Sequence, residues 1–378
     1  MKVIISTAGV SLIRNNIQNN GEKQISNLFG RPVSEWEEHR AYLDTITEEL
    51  VRISRSDDFD PIRFSAETNS LSRMEVEKGD RLVFFTSDTL DGVLCGKVLT
   101  EISKHLWGAE AEYRVVKGLQ VKDAKLFRKV AVGHLVDMVM SVLDRYPLSG
   151  YKVILNPTGG YKAVVPYLTL LGLIEGVPVK YIYEQSNTLI ELPAAPLSFN
   201  PEKLRELGPA AAVLSDDYVA EQELSDITGI PKYRLREQFG DVLYWEEGLV
   251  TLTELARVLY FRYIHQEGQR VELSKTVRKK LDKNPSWKSR FEQLFTKMRD
   301  PLYRKAHLHN EVQSDRVDLD CLKPGNVNER IFFFVEGETV FVCDIFMHDD
   351  YEKAINEGAL LKCMYLDQFD VPIGNTSL

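Results

Sequence analysis

The sequence has few cysteines and no long apolar run, and both absences narrow the class of protein. No C-x-x-C spacing relates its four cysteines, Cys95, Cys321, Cys343 and Cys363, so neither a zinc site nor a disulfide framework is indicated. The longest apolar stretch, Ala163 to Ile174, is broken by Pro166 and is shorter than the roughly 20 residues that span a bilayer. The first residues lack the layout of a signal peptide. We therefore expect a cytoplasmic protein with no metal, no cofactor and no membrane partner.

Positive charge is also scarce, except in one segment. The 378 residues carry a net charge of −9 and are 44% hydrophobic and 27% charged. This composition is typical of globular protein, and the length predicts two or three domains because one core rarely exceeds about 250 residues. Residues 270–305, however, hold twelve basic and four acidic residues, a net +8. This segment indicates either a local site for a polyanion such as RNA or a solvated helix face.

Strands alternate with helices in the first 200 residues. The apolar patterns predict helices over Thr89–Leu106 and Asp123–Tyr146. The predicted strands are Lys2–Ser6, Arg81–Phe85, Glu112–Val116, Tyr151–Leu155, Val179–Tyr183 and Thr188–Glu191, the last two joined by a hairpin at Ser186-Asn187. This order predicts a Rossmann-like α/β domain with a mainly parallel sheet, and such sheets bind ligands beyond the carboxyl ends of their strands.

Two polar loops follow predicted strands at that edge. One is Thr7-Ala8-Gly9-Val10-Ser11, and the other runs from Asn156 to Lys162 through two adjacent glycines. Paired glycines allow close approach of the backbone, and the free amides of a helix N-terminus attract phosphate. The spacing of a Walker loop is absent. The second loop is therefore either a phosphate-binding loop or a tight turn between strand and helix.

Thr7-Ala8-Gly9 together with Asn156-Pro-Thr-Gly-Gly-Tyr-Lys162 resembles the CARF domain of type III CRISPR ancillary proteins. The resemblance implies a homodimeric sensor of cyclic oligoadenylate, usually cyclic tetra-adenylate, because a rotationally symmetric ligand suits a dimer axis. Some such domains also cleave their ligand slowly. The ligand contacts that it implies are Thr7, Ser11, Asn156, Thr158, Gly159, Gly160 and Lys162, with Asn15 and Ser87 as further candidates.

A boundary at Asn200-Pro201 separates this first domain, residues 1–200, from a second domain, residues 201–268. The second domain is predicted to be a winged helix-turn-helix, with helices over Val219–Thr228, Lys232–Phe239 and Glu254–His265, a turn at Gly229-Ile230-Pro231 and wing strands at Val242–Tyr244 and Leu249–Leu252. Its second helix has few basic residues and its wing tip is acidic. A spacer or protein-docking module is therefore favoured over a DNA reader.

Residues 269–378 form the third predicted domain, where helical periodicity gives way to strands. The predicted elements are strand Arg270–Leu273, helices Lys275–Lys283 and Trp287–Met298, the second ended by Asp300-Pro301, and strands Arg316–Leu322, Arg330–Val335 and Thr339–Phe346. This order predicts an α+β domain, an antiparallel sheet backed by a basic helical hairpin.

This layout resembles the RelE toxins, ribonucleases that cut mRNA in the ribosomal A site. The whole chain thus resembles CARF–RelE fusions, the CRISPR-associated mRNA interferases of antiviral defence. The resemblance implies a catalytic set of Lys323, Arg330, His348 and Tyr351, with Arg316, His307 and His309 in reserve. The neighbouring 2′-hydroxyl would attack the phosphate without a metal, while Arg330 binds phosphate and His348 transfers a proton. Asp349-Asp350 departs from the basic residues that the family carries there.

Two alternatives stay open. Arg304-Lys-Ala-His-Leu-His309 matches the R-x-x-x-x-H motif of HEPN ribonucleases, which act without ribosomes. The other alternative is a transcription regulator that acts through the winged helix. The favoured hypothesis is a homodimeric endoribonuclease that is activated by cyclic oligoadenylate and cuts mRNA on the ribosome, which it reaches through a ribosomal stalk protein.

Overall fold

The computed structural model describes residues 1–17, 25–119, 127–182, 188–194, 202–216, 218–309, 316–324 and 328–370. The chain divides into two compact units, Met1–Asn200 and Pro201–Leu378. Helices surround three sheets of six, four and three strands, so the architecture is a mixed, multi-sheet α/β fold. Within the described ranges, no helix has the length and apolar character needed to cross a membrane.

The first unit contains a six-stranded sheet with the order β3-β2-β1-β4-β5-β6. Its strands are β1 Lys2–Thr7, β2 Arg81–Ser87, β3 Glu110–Val116, β4 Lys152–Asn156, β5 Val179–Ile182 and β6 Leu189–Leu192. The first five are parallel, and only β6 is antiparallel to its neighbour. The prediction of a mainly parallel sheet is therefore confirmed. The predicted hairpin at Ser186-Asn187 lies outside the described residues.

The helices of the first unit include four that the periodicity did not predict. The helices are α1 Ser11–Asn16, α2 Trp36–Ile53, α3 Pro61–Phe64, α4 Ala66–Arg73, α5 Leu90–Trp107, α6 Val132–Arg145 and α7 Val165–Glu175. The unpredicted helices are α1, α2, α3 and α4. They are amphipathic or short, and their apolar residues join the core that contains α5 and the sheet.

The strand order places a topological switch beside β1. From β1 the sheet continues through β2 and β3 on one side and through β4 and β5 on the other. Loops that leave β1 and β4 therefore diverge at their carboxyl ends and leave a crevice there. Polar residues fix where the neighbouring helices begin: the Thr89 hydroxyl accepts from the Gly92 N–H at the start of α5, and Ser65 with Thr68 forms a capping box on α4.

The first part of the second unit contains helices and strands near the three helices and two wing strands predicted for residues 201–268, together with α8, α9 and β7, which were not predicted. They are α8 Glu202–Glu206, α9 Pro209–Asp216, β7 Val219–Ala220, α10 Glu221–Thr228, α11 Lys232–Phe239, β8 Leu243–Glu246, β9 Leu249–Leu252 and α12 Glu254–Glu267. The three strands form a small antiparallel sheet with the order β7-β9-β8. The basic Arg236 of α11 is paired with Glu221 and lies over the Trp245 ring.

The remainder of the second unit is built on a four-stranded sheet with the order β10-β13-β12-β11. Its elements are β10 Arg270–Leu273, α13 Lys275–Lys283, α14 Pro285–Met298, α15 Pro301–Ala306, β11 Asp320–Leu322, β12 Glu329–Glu336, β13 Thr339–Met347 and α16 His348–Glu357. Strands β11, β12 and β13 are antiparallel as predicted, whereas β10 joins β13 in parallel. Phenylalanines on β12 and β13 fill the core on one face.

Three local predictions for this sheet region are corrected. Asp300-Pro301 does not simply end a helix: the Asp300 carboxylate accepts from the Leu302 N–H and starts α15. Of the predicted strand Arg316–Leu322, only Asp320–Leu322 is a strand, while Val317 forms an isolated bridge to Leu360. His348 does not end a strand but opens α16.

Candidate functional site

A cavity of about 340 Å³ opens at the carboxyl ends of the central strands of the first unit. Both loops singled out in the sequence line it, through Thr7 and Gly9 from one and through Gly160 and Lys162 from the other. Ser87, at the end of β2, lines it as well. The cavity therefore lies where a doubly wound sheet binds ligands, and the two polar loops meet there.

The two loops touch through their glycines. A Cβ atom on Gly9 would lie 2.4 Å from the backbone nitrogen of Gly160, which no side chain tolerates. Gly160 itself has φ +83°, and a Cβ there would approach the Ala8 carbonyl oxygen to 3.0 Å. At both positions, glycine is required by contact between the loops.

Beneath the loops lies a carboxylate that sequence reasoning missed. Glu67, in the first turn of α4, has no exposed surface. Its Oε1 accepts from the Gly9 N–H at 2.7 Å, and its Oε2 accepts from the Ser11 hydroxyl at 3.3 Å. A Cβ atom on Gly159 would lie 1.8 Å from Oε1. Glu67 therefore contacts both loops from behind and explains why residue 159 is glycine.

Most hydroxyl groups predicted to contact ligand form hydrogen bonds within the protein. Thr7 is buried, and its Oγ1 donates to the Gly159 carbonyl oxygen. The Ser11 hydroxyl donates to Glu67 and accepts from the Ala66 N–H at 3.2 Å. In this structure these two side chains hold the loops together.

Asn156 and Thr158, both predicted to contact ligand, form a hydrogen-bonded network within the protein. Asn156 is fully buried, and its Nδ2 donates to Ser6 Oγ at 3.1 Å and to Ser70 Oγ at 2.8 Å. Its Oδ1 accepts from Thr158 Oγ1 at 2.6 Å. Thr158 Oγ1 also accepts from the Ile182 N–H. With its amide nitrogen and its amide oxygen both hydrogen-bonded, Asn156 fixes the start of the loop between β4 and α7.

Three further predicted positions differ in their access to the cavity. Lys162 is exposed and lines it. Ser87 also lines it, and its hydroxyl pairs with that of Thr89 at 2.7 Å. Asn15 is exposed on α1, where its amide donates to the carbonyl oxygens of Arg63 and Phe64, so it connects α1 with α3. Lys162, Ser87 and the Gly160 backbone are the predicted groups best placed to reach a ligand.

In the second unit, the residues predicted for catalysis surround a buried guanidinium. Arg330 is 1% exposed, and its Nη1 donates to the Glu329 carbonyl oxygen at 2.9 Å. Its guanidinium carbon lies 5.7 Å from the centre of the Tyr351 ring, on α16. Arg330 and Tyr351 are thus brought together, with Tyr351 covering the arginine.

Lys323 lies close to this pair but is exposed. It follows β11, and its N–H donates to the His307 carbonyl oxygen at 2.9 Å. The β11–β12 ladder ends at the pair Leu322 and Ile331, and Lys323 and Arg330 are the chain neighbours of that last pair. Both cations lower the pKa of Cys321, but burial dominates and raises that pKa to about 12. Lys323 and Arg330 therefore share one end of the β11–β12 ladder.

The remaining residue predicted for catalysis, His348, is the first residue of α16, three residues before Tyr351. Asp350 follows on the same helix and is exposed. Burial and the neighbouring Glu352 raise the pKa of Tyr351, while Arg330 lowers it. The Tyr351 hydroxyl is therefore protonated at neutral pH and can donate a hydrogen bond.

The geometry disfavours the HEPN alternative. Arg304 is buried, and its guanidinium donates to the Met298 carbonyl oxygen and the Gln269 side chain. α15 ends at Ala306, and the His309 N–H donates to the Cys321 carbonyl oxygen at 2.8 Å beside β11. The motif is therefore not helical on both sides. The reserve residue Arg316 is exposed and lies beyond this segment.

The basic segment contains one exposed lysine stripe. Lys275, Lys279 and Lys283 recur every four residues on α13, and all three are exposed. Among the described residues, none of them forms an ion pair, whereas Arg278 pairs with Glu272 and Asp370, and Lys280 pairs with Asp344. The stripe is about 12 Å long, so it can follow two successive phosphate steps.

Comparison with known proteins supports a CRISPR connection for part of the chain. Residues 62–195 match a family described as CRISPR-associated protein (Cas_APE2256). The matched segment contains Glu67 and the loop from Asn156 to Lys162.

Among solved structures, the crystal structure of protein VC1899 from Vibrio cholerae is similar at 12% sequence identity and a TM-score of 0.26. The match covers 70% of this chain and 65% of that one, less than two thirds of its length. At that score, neither a shared fold nor a shared activity follows.

Proposed function

We propose that the protein is an endoribonuclease of CRISPR defence that cyclic oligoadenylate activates, with its sensor in the first unit and its catalytic site in the second. The observation that carries this proposal is the cavity at the switch point of the parallel sheet, lined by both loops on which the CARF resemblance rests. The family match over residues 62–195 supports the CRISPR part.

The chemistry of the cavity suits a nucleotide with a phosphodiester backbone. Lys162 supplies a cation, and the segment that it opens leads into the N-terminus of α7. Tyr161 lines the cavity and packs edge-to-face on Phe127 at 5.8 Å, so an aromatic surface is available to a purine. Lys162 would bind phosphate, while the hydroxyl network behind it keeps the loops in place.

An apolar helix supports the homodimer. Every residue of α7 is apolar except Thr169 and Glu175, yet only Leu168, Leu171 and Gly172 are buried. The apolar side chains of Leu170, Leu173 and Ile174 are half-buried among the described residues. A second copy of the chain would cover this surface and place two cavities about one axis, as a cyclic ligand requires.

The second unit offers two features that suit RNA. The lysine stripe on α13 provides phosphate contacts, and Lys323, Arg330 and Tyr351 provide two cations and a hydroxyl donor near one strand end. In metal-independent cleavage by the 2′-hydroxyl, Arg330 and Lys323 would stabilise the charge on the phosphoryl oxygens, and Tyr351 or His348 would exchange protons. Slow cleavage of the activator by the first unit is part of the same proposal.

The test is a cell-free translation reaction with and without cyclic tetra-adenylate, in which the 5′ ends of the mRNA are mapped. We expect cuts that need both the activator and translating ribosomes and that disappear in Arg330→Ala. Co-sedimentation with ribosomes and binding to isolated stalk protein would test the partner. Cutting without ribosomes that is lost in His309→Ala would restore the HEPN alternative. An absence of cutting in every condition would leave DNA binding by residues 201–268 as the function to test.

A further inference from the structure

Glu67 places a carboxyl group directly behind loops that we propose bind an anion. Its side chain is fully buried, it accepts hydrogen bonds from Gly9 and Ser11, and it lies against Gly159. Gly9 and Gly160, which follows Gly159, line the cavity. A phosphodiester in the cavity would therefore be separated from the carboxylate by little more than one layer of backbone.

No cation compensates this carboxylate among the described residues. Its contacts are backbone N–H groups and the hydroxyls of Ser65 and Ser11. From α5, the facing titratable groups are Cys95 and Asp91, and neither is cationic: the nearby carboxylates Glu67 and Asp91 both raise the pKa of Cys95, as burial does. From the second loop, Lys162 lies two residues beyond the glycine pair, on the cavity side. Burial raises the pKa of Glu67 above its ordinary 4.5, and the hydrogen bonds lower it only in part.

We propose that Glu67 is the positioning residue that joins the two ligand loops, and that binding of a cyclic oligoadenylate at these loops is accompanied by uptake of one proton on the Glu67 carboxylate. The inference rests on the proposed ligand. A bound phosphate disfavours a second negative charge across the loop, so a proton moves from solvent to Glu67 Oε2. The new O–H then donates to the Ser11 hydroxyl oxygen, while Oε1 still accepts from the Gly9 N–H. The site then carries one negative charge fewer while the loops keep their contacts.

The sign of the pH dependence follows from this uptake. The complex holds more protons than the free protein in the pH range between the pKa of Glu67 without ligand and its higher pKa with ligand. Affinity therefore falls as pH rises through that range, by up to about tenfold per pH unit for one proton. That range starts above the ordinary carboxyl value of 4.5.

The experiment is titration calorimetry of the full chain with cyclic tetra-adenylate at several pH values, in phosphate and in Tris. These buffers differ in ionisation enthalpy, so the difference between the observed enthalpies gives the number of protons taken up. The wild type is expected to take up a fraction of a proton that approaches one. Glu67→Gln is expected to take up none and to bind with an affinity that no longer varies with pH. Asp58→Asn, which removes an exposed carboxylate of the same unit, is the matched control and should behave like the wild type.

The possible failures are distinguishable. Binding without proton uptake by the wild type overturns the role of Glu67 and leaves the proposed sensor intact. An absence of binding by the wild type overturns the sensor instead, and the carboxylate is then tested by unfolding. Because burial raises the pKa of Glu67 in the folded state, its stabilising contribution is present at low pH and lost as pH rises through the folded pKa. Glu67→Gln should thus gain melting temperature relative to the wild type at pH 8 but not at pH 5, and an equal effect at both values would overturn the proposal.

If Glu67→Gln does not fold, Glu67→Asp keeps the ionisable group at a shorter reach. It should still take up a proton but bind the ligand more weakly, because the contact with Gly9 is lost. Because the carboxyl group of Glu67→Asp loses its contact with Gly9, the pH range of its proton uptake should shift. A profile of proton uptake against pH that is the same in Glu67→Asp and in the wild type would assign the proton to another group.

Discussion

The two candidate sites use their polar residues in opposite ways. In the first unit, Thr7, Ser11 and Asn156 form hydrogen bonds with each other's loops and with Glu67, so the site is pre-organised around neutral donors and one buried anion. In the second unit, Arg330 is a buried cation beneath an aromatic ring, while Lys323 beside it is exposed. The difference shows that the loops of the first unit are held in place by internal hydrogen bonds, whereas Arg330 is covered by Tyr351. If Arg330 acts on RNA as we propose, it would have to be uncovered first.

The largest expected effect is a loss of mRNA cleavage when Lys323 or Arg330 of the second unit is replaced. Lys323→Ala and Arg330→Ala should each reduce activator-dependent mRNA cleavage by at least about 100-fold, because each removes a charge from the phosphoryl oxygens. Only Arg330→Ala should also destabilise the protein, by about 3 kcal/mol, since it empties a buried volume. Chemical denaturation beside the cleavage assay distinguishes the two effects. Full activity in Lys323→Ala would remove this lysine from the site.

A backbone substitution tests the rigidity of the first unit. Gly159→Ala would place a methyl group on the Glu67 carboxylate, so we expect the unit to lose about 3 kcal/mol of stability and its affinity for cyclic tetra-adenylate. Gly176→Ala is the control, because its φ of +69° is left-handed but no atom lies within 4 Å of the added Cβ. It should cost only about 1 kcal/mol and leave binding unchanged. Equal losses would mean that the contact with Glu67 costs no more than the left-handed backbone of Gly176, and that this contact does not determine the loop.

Elements that depend on local pattern could be predicted from the sequence, and those that depend on distant contacts could not. The strands and both polar loops of the first unit follow from short apolar runs that end in Gly, Ser and Thr, and they lie where predicted. Glu67 is one of 56 acidic residues, and only the approach of two loops distant in sequence makes it special. Likewise, the start of α16, His348-Asp-Asp, carries no apolar pattern that predicts a helix, and α16 packs on β12 and β13. The parallel pairing of β10 with β13 depends on contacts between residues that are distant in the sequence.

A smaller effect concerns the exposed charges of the second unit. Replacing Lys275, Lys279 and Lys283 with alanine should lower the slope of log affinity for single-stranded RNA against log salt by about 2, because three phosphate contacts are lost. A triple alanine variant of Arg40, Arg55 and Lys104, which are ion-paired on the first unit, removes equal charge. It should leave the slope unchanged. An equal change of the slope in both variants would mean that the lysine stripe affects RNA binding only through the net charge of the protein.

The smallest expected effect is a change in the rate at which single cysteines react with a maleimide. Cysteines in both units of one molecule can be compared in this way. Cys363 is exposed, whereas Cys95, Cys321 and Cys343 are buried. Burial raises the pKa of Cys321 to about 12, so at pH 8 a maleimide should label only Cys363 in the native protein and all four thiols after unfolding.

The two buried reporters should respond to different substitutions. Arg330 lowers the pKa of Cys321, and Glu67 raises the pKa of Cys95, although burial is the larger cause at both thiols. Each thiol therefore lies beside one candidate site. Arg330→Ala should open space next to Cys321 and speed its labelling while Cys95 stays protected; Gly159→Ala should do the reverse. Peptide mapping by mass spectrometry reads both rates from one sample. If either substitution exposed both thiols together, the two units would unfold as one cooperative body. The contrast between the hydrogen-bonded loops of the first unit and the covered Arg330 of the second could then not be assigned to local structure.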